Sequence, residues 1–323
     1  MAVNWGILST ARINDLFLAG ARQSDQLEIA AVASRDAAVA EAYAREHEIG
    51  RAHGSYEGLL ADPEIEVVYI SLPNALHIEW TIKALEAGKH VLCEKPLSRS
   101  VAEVERAFDA AERADRLLME AFMYRHNPQT RKVLELIRDG AIGRLTMIRS
   151  SFSFVASDPE NVRLLTGLAG GGLMDVGCYC VSASRLLGGE PERVGAEQII
   201  GGDGVDVALA GTLRFPGDVL AHFDCGLALA ARDDLEVVGD GGSLYLDDPW
   251  HCRRPVIELR RDDGTELVEL QPVDSYMLEA ENMSAAIRGE AELLLGREDA
   301  VGQARAIEAL YEAAERGTVV ALQ

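Results

Sequence analysis

The chain has 323 residues, 48% of them hydrophobic and 26% charged, and a formal net charge of −22. That composition describes a globular protein with length for two domains, and such acidity argues against nucleic acid or an anionic membrane as a partner. No apolar run is long enough to span a bilayer, and no basic segment precedes an apolar stretch at the start, so the expectation is a cytoplasmic protein. The 5 cysteines are scattered without a paired C-x-x-C, so no disulfide framework and no metal site is expected.

In chain order, strands and helices alternate at first. The apolar runs Val3–Leu8, Leu27–Ala33, Val67–Ser71, His90–Cys93 and Leu117–Ala121 read as strands, with helices at Ile13–Ser24, Ala37–Glu46, Ala75–Ala87 and Val101–Ala114 between them. Strands apolar on both faces that alternate with helices imply a doubly wound parallel sheet, so residues 1–121 read as a dinucleotide-binding α/β domain. Beyond it come a helix at Pro128–Asp139, a long alternating strand at Arg144–Phe154 and a glycine-rich turn into a helix from about Leu173 to Leu187. A succession of strands from Val194 to Gln271 and helices at Tyr276–Arg288 and Glu298–Arg316 follow. Many strands with few helices between them indicate a large, open, mainly antiparallel sheet, so residues 122–323 read as an α+β domain for substrate binding and oligomerisation.

The first strand runs into a turn that begins at Gly6 and continues through Ser9, Thr10, Ala11, Arg12 and Ile13. Only one glycine of the dinucleotide fingerprint is intact, but amides at a helix N-terminus can hold a phosphate without glycine. After the second strand stand Ser34, Arg35 and Asp36. An acid at this point would favour NAD; here an arginine suits a 2′-phosphate and Asp36 reads as the N-cap of the next helix, so NADP is preferred over NAD. Ser71, Leu72, Pro73, Asn74 and His77 follow the next strand at a ligand-binding sheet edge, although Asn74 could cap the helix and His77 could be an ordinary first-turn residue. Glu94, Lys95 and Pro96 stand at the end of another strand, where proline fixes the exit direction of Lys95, one of only four lysines. In the second half, Asp175 and Tyr179 are four residues apart on the helix that follows Gly170–Gly172, so they share a face.

Glu94-Lys95-Pro96, Pro73-Asn74-x-x-His77 and the glycine-rich turn leading to Asp175 together resemble the Gfo/Idh/MocA oxidoreductase family over essentially the whole chain. Tyr179, where many members carry histidine, and the stretch Met119–Gln129 resemble the branch of glucose–fructose oxidoreductase, NADP-dependent D-xylose dehydrogenase and dimeric dihydrodiol dehydrogenase. That resemblance implies NADP and a homodimer, or dimer of dimers, joined through second-domain sheets. It also implies a small sugar or polyol substrate and an aldose dehydrogenase acting on D-xylose or D-glucose. Trans-dihydrodiol dehydrogenase or keto-sugar reductase activity is the alternative, and a non-catalytic dinucleotide-binding sensor is a third reading, disfavoured by the intact Lys95, Asp175 and Tyr179. In this chemistry Tyr179 moves the proton. The Lys95 cation favours its phenolate and binds the nicotinamide ribose, while Asp175 hydrogen-bonds the substrate. Tyr124, Arg149, Phe152 and Phe154 are expected to line the sugar pocket.

Overall fold

The computed structural model describes residues 2–158 and 160–322. It forms two compact units: one comprises the chain through Met123 together with Asp274–Val301, and the other comprises Tyr124–Val273 together with the chain from Gly302 onward. The sequence reading placed a single break at 121/122. The later segment joins the first unit because its helix buries a stripe against that unit's sheet.

The first unit contains β1 (Val3–Leu8), α1 (Ile13–Ala21), β2 (Leu27–Ala33), α2 (Ala37–Glu46), β3 (Arg51–His53) and α3 (Tyr56–Leu60). It continues with β4 (Val67–Ile70), α4 (His77–Glu86), β5 (His90–Glu94), α5 (Val101–Ala114) and β6 (Leu118–Ala121). The six strands are parallel in the order β3-β2-β1-β4-β5-β6. This is the doubly wound order, with its switch point between β1 and β4. Trp5, Ile7, Leu8 and the whole of β4 are fully buried, as strands covered on both faces must be. Two short elements, β3 and α3, escaped the sequence reading because neither carries an apolar run long enough to show a period.

The second unit contains α6 (Pro128–Arg138), β7 (Leu145–Val155), α7 (Cys178–Gly188), β8 (Arg193–Ile200), β9 (Asp206–Phe215) and β10 (Val219–Gly226). β11 (Ala228–Gly239), β12 (Ser243–Leu246), β13 (Val256–Arg261) and β14 (Gly264–Glu269) follow. Helix α8 (Ser275–Ile287) belongs to the first unit, the unit boundary falls within α9 (Arg297–Arg316), and β15 (Val320–Ala321) closes the chain. The nine strands run β14-β13-β12-β11-β7-β10-β9-β8-β15. The pairs are antiparallel except β7–β10, which is parallel. β11 extends well beyond the run Leu235–Val238 that reads as a strand: its first half is largely exposed, and a register shift between Ala228 and Arg232 interrupts its pairing with β7. One sheet face is apolar, with Ile148, Leu209, Leu213, Phe223, Val237 and Leu244 buried. The opposite face presents Arg149, Thr212 and His222 as exposed residues.

Candidate active site

In the first unit the expected nucleotide turn differs from its prediction in one detail. Gly6 lies within β1 and has no positive φ. Its missing Cβ admits Leu59, whose Cδ2 would lie 2.8 Å from one. The turn falls at Ser9, with φ of +137°, a conformation normally left to glycine. A buried network holds it there. Ser9 Oγ lies 2.8 Å from Ser71 Oγ, Ser71 Oγ donates to Asn14 Oδ1 at 2.6 Å, and Asn14 Nδ2 donates to Ser9 O at 3.0 Å. The network thus joins the carboxyl ends of β1 and β4 at the switch point. Arg12 precedes α1 without any side-chain cap; Asn14 N and Asp15 N donate to Ala11 O and Arg12 O, and Ala11 N donates to Ser9 Oγ, at the helix N-terminus where a pyrophosphate is expected. Ser9→Ala keeps the strain and removes the network, whereas Ser9→Gly removes both. Since such strain is worth about 1–3 kcal/mol, the Gly variant should melt above the Ala variant, reversing the usual order. An Ala variant at least as stable as Gly would contradict this account.

At the end of β2, Asp36 caps α2 as expected, accepting from Ala38 N at 2.8 Å and Val39 N at 3.2 Å. Ser34 Oγ accepts from Asp36 N at 3.4 Å. Arg35 is exposed, and its charge lowers the pKa of the Tyr56 phenol, which burial raises on balance; sequence reasoning missed this neighbour.

Asn74 opens a short 3-10 turn, Asn74–Leu76, and does not cap α4, which starts at His77 after Leu76. His77 is 1% exposed, and its ring nitrogens lie 2.8 Å from Leu72 O and 2.9 Å from Pro96 O. Burial lowers its pKa, and the nearby Lys95 charge acts in the same direction. The ring expected to contact the cofactor is thus buried beside two backbone carbonyls. A neutral ring donates to one of these two carbonyls and packs against the other, so His77 lies between the loop after β4 and the loop after β5. At the end of β5, Glu94 accepts from Tyr69 Oη at 2.6 Å, and in the loop beyond it Leu97 N donates to Glu120 Oε1 at 2.7 Å. Lys95 is half-buried at the strand end.

In the second unit the glycine turn leads into a π-helical turn, Leu173–Gly177, that continues directly as α7. Such turns are rare and concentrate at functional sites. Asp175 lies in this turn, 2.8 Å from Arg163 Nε. Tyr179, 6% exposed, sits among Phe152 (5.4 Å between centroids, edge-on), Tyr124 (5.8 Å) and Trp250 (5.9 Å). Tyr124 Oη donates to Ser182 Oγ at 2.8 Å. Phe154, half-buried, shares the strand parity of Phe152. Arg149 does not join this aromatic group. By strand alternation it points to the opposite face of β7, where it meets Glu236 at 3.4 Å.

Sequence reasoning missed Trp250 and Arg163, since nothing local marks either as a neighbour of Tyr179 or Asp175. Trp250 Nε1 donates to Ser151 O at 3.1 Å. Its segment is braced by Asp233, Asp248, His251 and Arg253, with His251 Nδ1 at 3.3 Å from Asp233 and Arg253 forked onto Asp248 at 3.0 and 3.1 Å. Burial disfavours the His251 charge, but its bonds to Asp233 and Asp248 prevail and raise its pKa. These two Asp and one His could approach a metal together, but Arg253 and His251 already supply the counter-charge.

A doubly wound sheet with an uncapped helix at its switch point, together with a Tyr-bearing α+β unit, defines a nicotinamide-dependent oxidoreductase. Residues 3–122 match the oxidoreductase family with an NAD-binding Rossmann fold, and residues 130–245 match the GFO/IDH/MocA C-terminal domain. The chain is 40% identical over 323 residues to D-xylose 1-dehydrogenase (NADP(+)) 2 of Haloferax volcanii, covering 98% of this chain and 99% of that one. It is 36% identical to trans-1,2-dihydrobenzene-1,2-diol dehydrogenase of Danio rerio, over 78% of this chain and 76% of that one. The fold superposes on the crystal structure of aldose-aldose oxidoreductase from Caulobacter crescentus complexed with glycerol, with a TM-score of 0.93, 28% identity and all of both chains covered. The chain belongs to the Gfo/Idh/MocA oxidoreductase family, and it is an NAD(P)-dependent dehydrogenase.

Proposed function

We propose that the protein is an NADP-dependent aldose 1-dehydrogenase acting on D-xylose or D-glucose, in the cytoplasm. The observation that carries this reading is the aromatic group around Tyr179, which follows the turn holding Asp175: aromatic side chains with a few polar groups are what small-molecule sites are lined with. Likeness to a D-xylose dehydrogenase and an aldose oxidoreductase supports it. When bound, the nicotinamide accepts the hydride from the sugar carbon. Tyr179 takes the hydroxyl proton as that hydride leaves, Lys95 supplies the positive charge that favours the phenolate and binds the ribose, and Asp175, oriented by Arg163, hydrogen-bonds the sugar. Tyr124, Phe152, Phe154 and Trp250 line the apolar side. Ser9, Thr10, Ala11, Arg12 and Ile13 form the pyrophosphate turn, which Gly6, inside β1, leads into. Ser71, Leu72, Pro73, Asn74 and Glu94 shape the sheet edge that receives the nicotinamide half. Initial rates on a panel of aldoses, polyols and diols, followed by absorbance of the reduced cofactor, test the substrate class. Turnover confined to diols would replace this reading with the dihydrodiol dehydrogenase one, which the same aromatic group and the Danio rerio relative favour as the alternative.

Arg35 is assigned to the 2′-phosphate of NADP. A charge-assisted contact is worth about 1.5–3 kcal/mol, so Arg35→Asp should raise the KM for NADP about tenfold or more and leave that for NAD little changed. Equal losses for the two cofactors would remove Arg35 from this role.

The chain is further proposed to pair as a homodimer, or a dimer of dimers, through the open face of the nine-stranded sheet. That face carries Ile199, Leu220 and Leu267 at 65%, 40% and 57% exposure, which a second copy related by a two-fold axis would cover. Light scattering at micromolar protein should report a dimer mass or a multiple of it; a clean monomer would refute the pairing.

A further inference from the structure

We propose that Asp206, braced by Tyr311, and Gln303 are positioning residues for the reaction: they fix the two ends of the π-helical turn that holds Asp175 and delivers Tyr179. The proposal rests on the assignment of Asp175 and Tyr179 above. A π-helical turn closes through wide i→i+5 bonds and is seldom stable alone, so its register needs outside partners.

At the N-terminal end the partner is Asp206, the first residue of β9 and 2% exposed. One carboxylate oxygen accepts from Leu173 N at 2.7 Å, and the other accepts from Tyr311 Oη of α9 at 2.8 Å. Burial raises the Asp206 pKa, while the Leu173 amide and the Tyr311 hydroxyl, both donors, favour the carboxylate. The glycine turn exists to admit this group. Gly171 has φ of +129°, and a Cβ there would stand 2.2 Å from Asp206 Oδ1; one on Gly172 would stand 3.2 Å from Oδ2. A negative charge at the start of a helix also suits the helix dipole.

At the C-terminal end the partner is Gln303, also on α9 and 1% exposed. Its Nε2 donates to the carbonyl of Cys178, the residue just before Tyr179, at 2.8 Å. Its Oε1 accepts from Arg185 Nη1 at 3.1 Å, and Arg185 is held in turn by Glu190. Asp206 and Gln303 thus bracket the turn that carries Asp175 and leads to Tyr179.

Displacing a reacting group by about 1 Å can cost about a hundredfold, so Asp206→Ala should lower kcat for the preferred aldose about ten- to a hundredfold. The KM for NADP should stay within about twofold, because the loss falls on chemistry rather than cofactor binding. Asp206→Asn should recover turnover to within about threefold of the parent, its amide oxygen accepting from Leu173 and its NH₂ donating to Tyr311. Gln303→Leu should lower kcat several-fold. Backbone amides of 173–180 should exchange faster in Asp206→Ala and Gln303→Leu, and at parental rates in Asp206→Asn. If Asp206→Ala does not fold, Tyr311→Phe replaces it, with an expected loss of about two- to fivefold in kcat. Parental kcat in folded Asp206→Ala or in Tyr311→Phe, or a loss that Asn does not rescue, overturns the proposal. Tyr179→Phe is assayed alongside: parental turnover in that variant would overturn the reading beneath the proposal, whereas an impaired Tyr179→Phe with an unimpaired Asp206→Ala would overturn the proposal alone.

Discussion

Tyr179→Phe is expected to lower turnover about 10²–10⁴-fold, the usual worth of a positioned acid–base group. The ring would remain packed against Phe152, Tyr124 and Trp250, so the variant should fold and melt close to the parent. Binding of NADP, read by fluorescence titration, should be nearly unchanged, since the phenol serves the substrate side. Lys95→Ala provides the contrast: it should reduce turnover and weaken cofactor binding together, because its charge has two duties. The rising limb of the oxidation pH profile should flatten in Tyr179→Phe. Near-parental turnover in that variant would reject the assignment and direct attention to Asp175.

The second large effect concerns Glu279. This residue lies on the stripe of α8 that faces the parallel sheet, beside Met283 and Ser284, and it is 0% exposed. Neither of its carboxylate oxygens has a hydrogen-bond partner among the described residues. Burial, aided by the neighbouring Glu94 charge, holds its carboxyl well above the ordinary range. The sign follows from the direction. Below the value in the unfolded chain, about 4.3, Glu279 is neutral in both states and costs nothing electrostatically. As pH rises above that value the unfolded chain releases the proton more readily than the folded one, so stability is lost until pH passes the folded value. Glu279→Gln should therefore match the parent near pH 4 and exceed it increasingly above, by up to about 1.4 kcal/mol per pH unit within that window. Denaturant unfolding at pH 5 and pH 8 measures the difference. A gap that does not widen with pH would show that Glu279 is not held neutral.

Much of the fold was legible because local chemistry repeated itself. β1, β2, α2 and α5 have the expected bounds, as continuous apolar runs and an Asp36 cap leave little choice. The parallel sheet followed from runs buried on both faces. The glycine run announced the helix that carries Tyr179, but the π-helical turn that holds Asp175 before it was not legible. What stayed hidden depends on contacts distant in sequence. Asp206 reaches Leu173 across 33 positions, and Trp250 reaches Ser151 across 99. No local pattern encodes either. The turn assigned to Gly6 illustrates a different limit: glycine advertises freedom of backbone, but here it serves side-chain packing, and the strained position is occupied by a serine whose hydrogen bonds hold it. Arg149 was misplaced through simple parity, since it is three residues from Phe152 on a strand where only even separations share a face.

Ser151 gives the central strand β7 a property of its own. Its hydroxyl donates to Asp234 on the polar face of the sheet, while its carbonyl accepts the indole N–H of Trp250 on the aromatic side. One residue thus joins the two surfaces through the thickness of a single strand. Trp250 is buried in that contact and Trp5 is buried in the other unit's sheet, so a shift in indole emission on mixing, dilution or loading of the polar face could be traced by replacing Trp5 and Trp80 with phenylalanine. The strand would then act as an optical gauge, letting events on the outer surface be timed against events at Tyr179 without any added label.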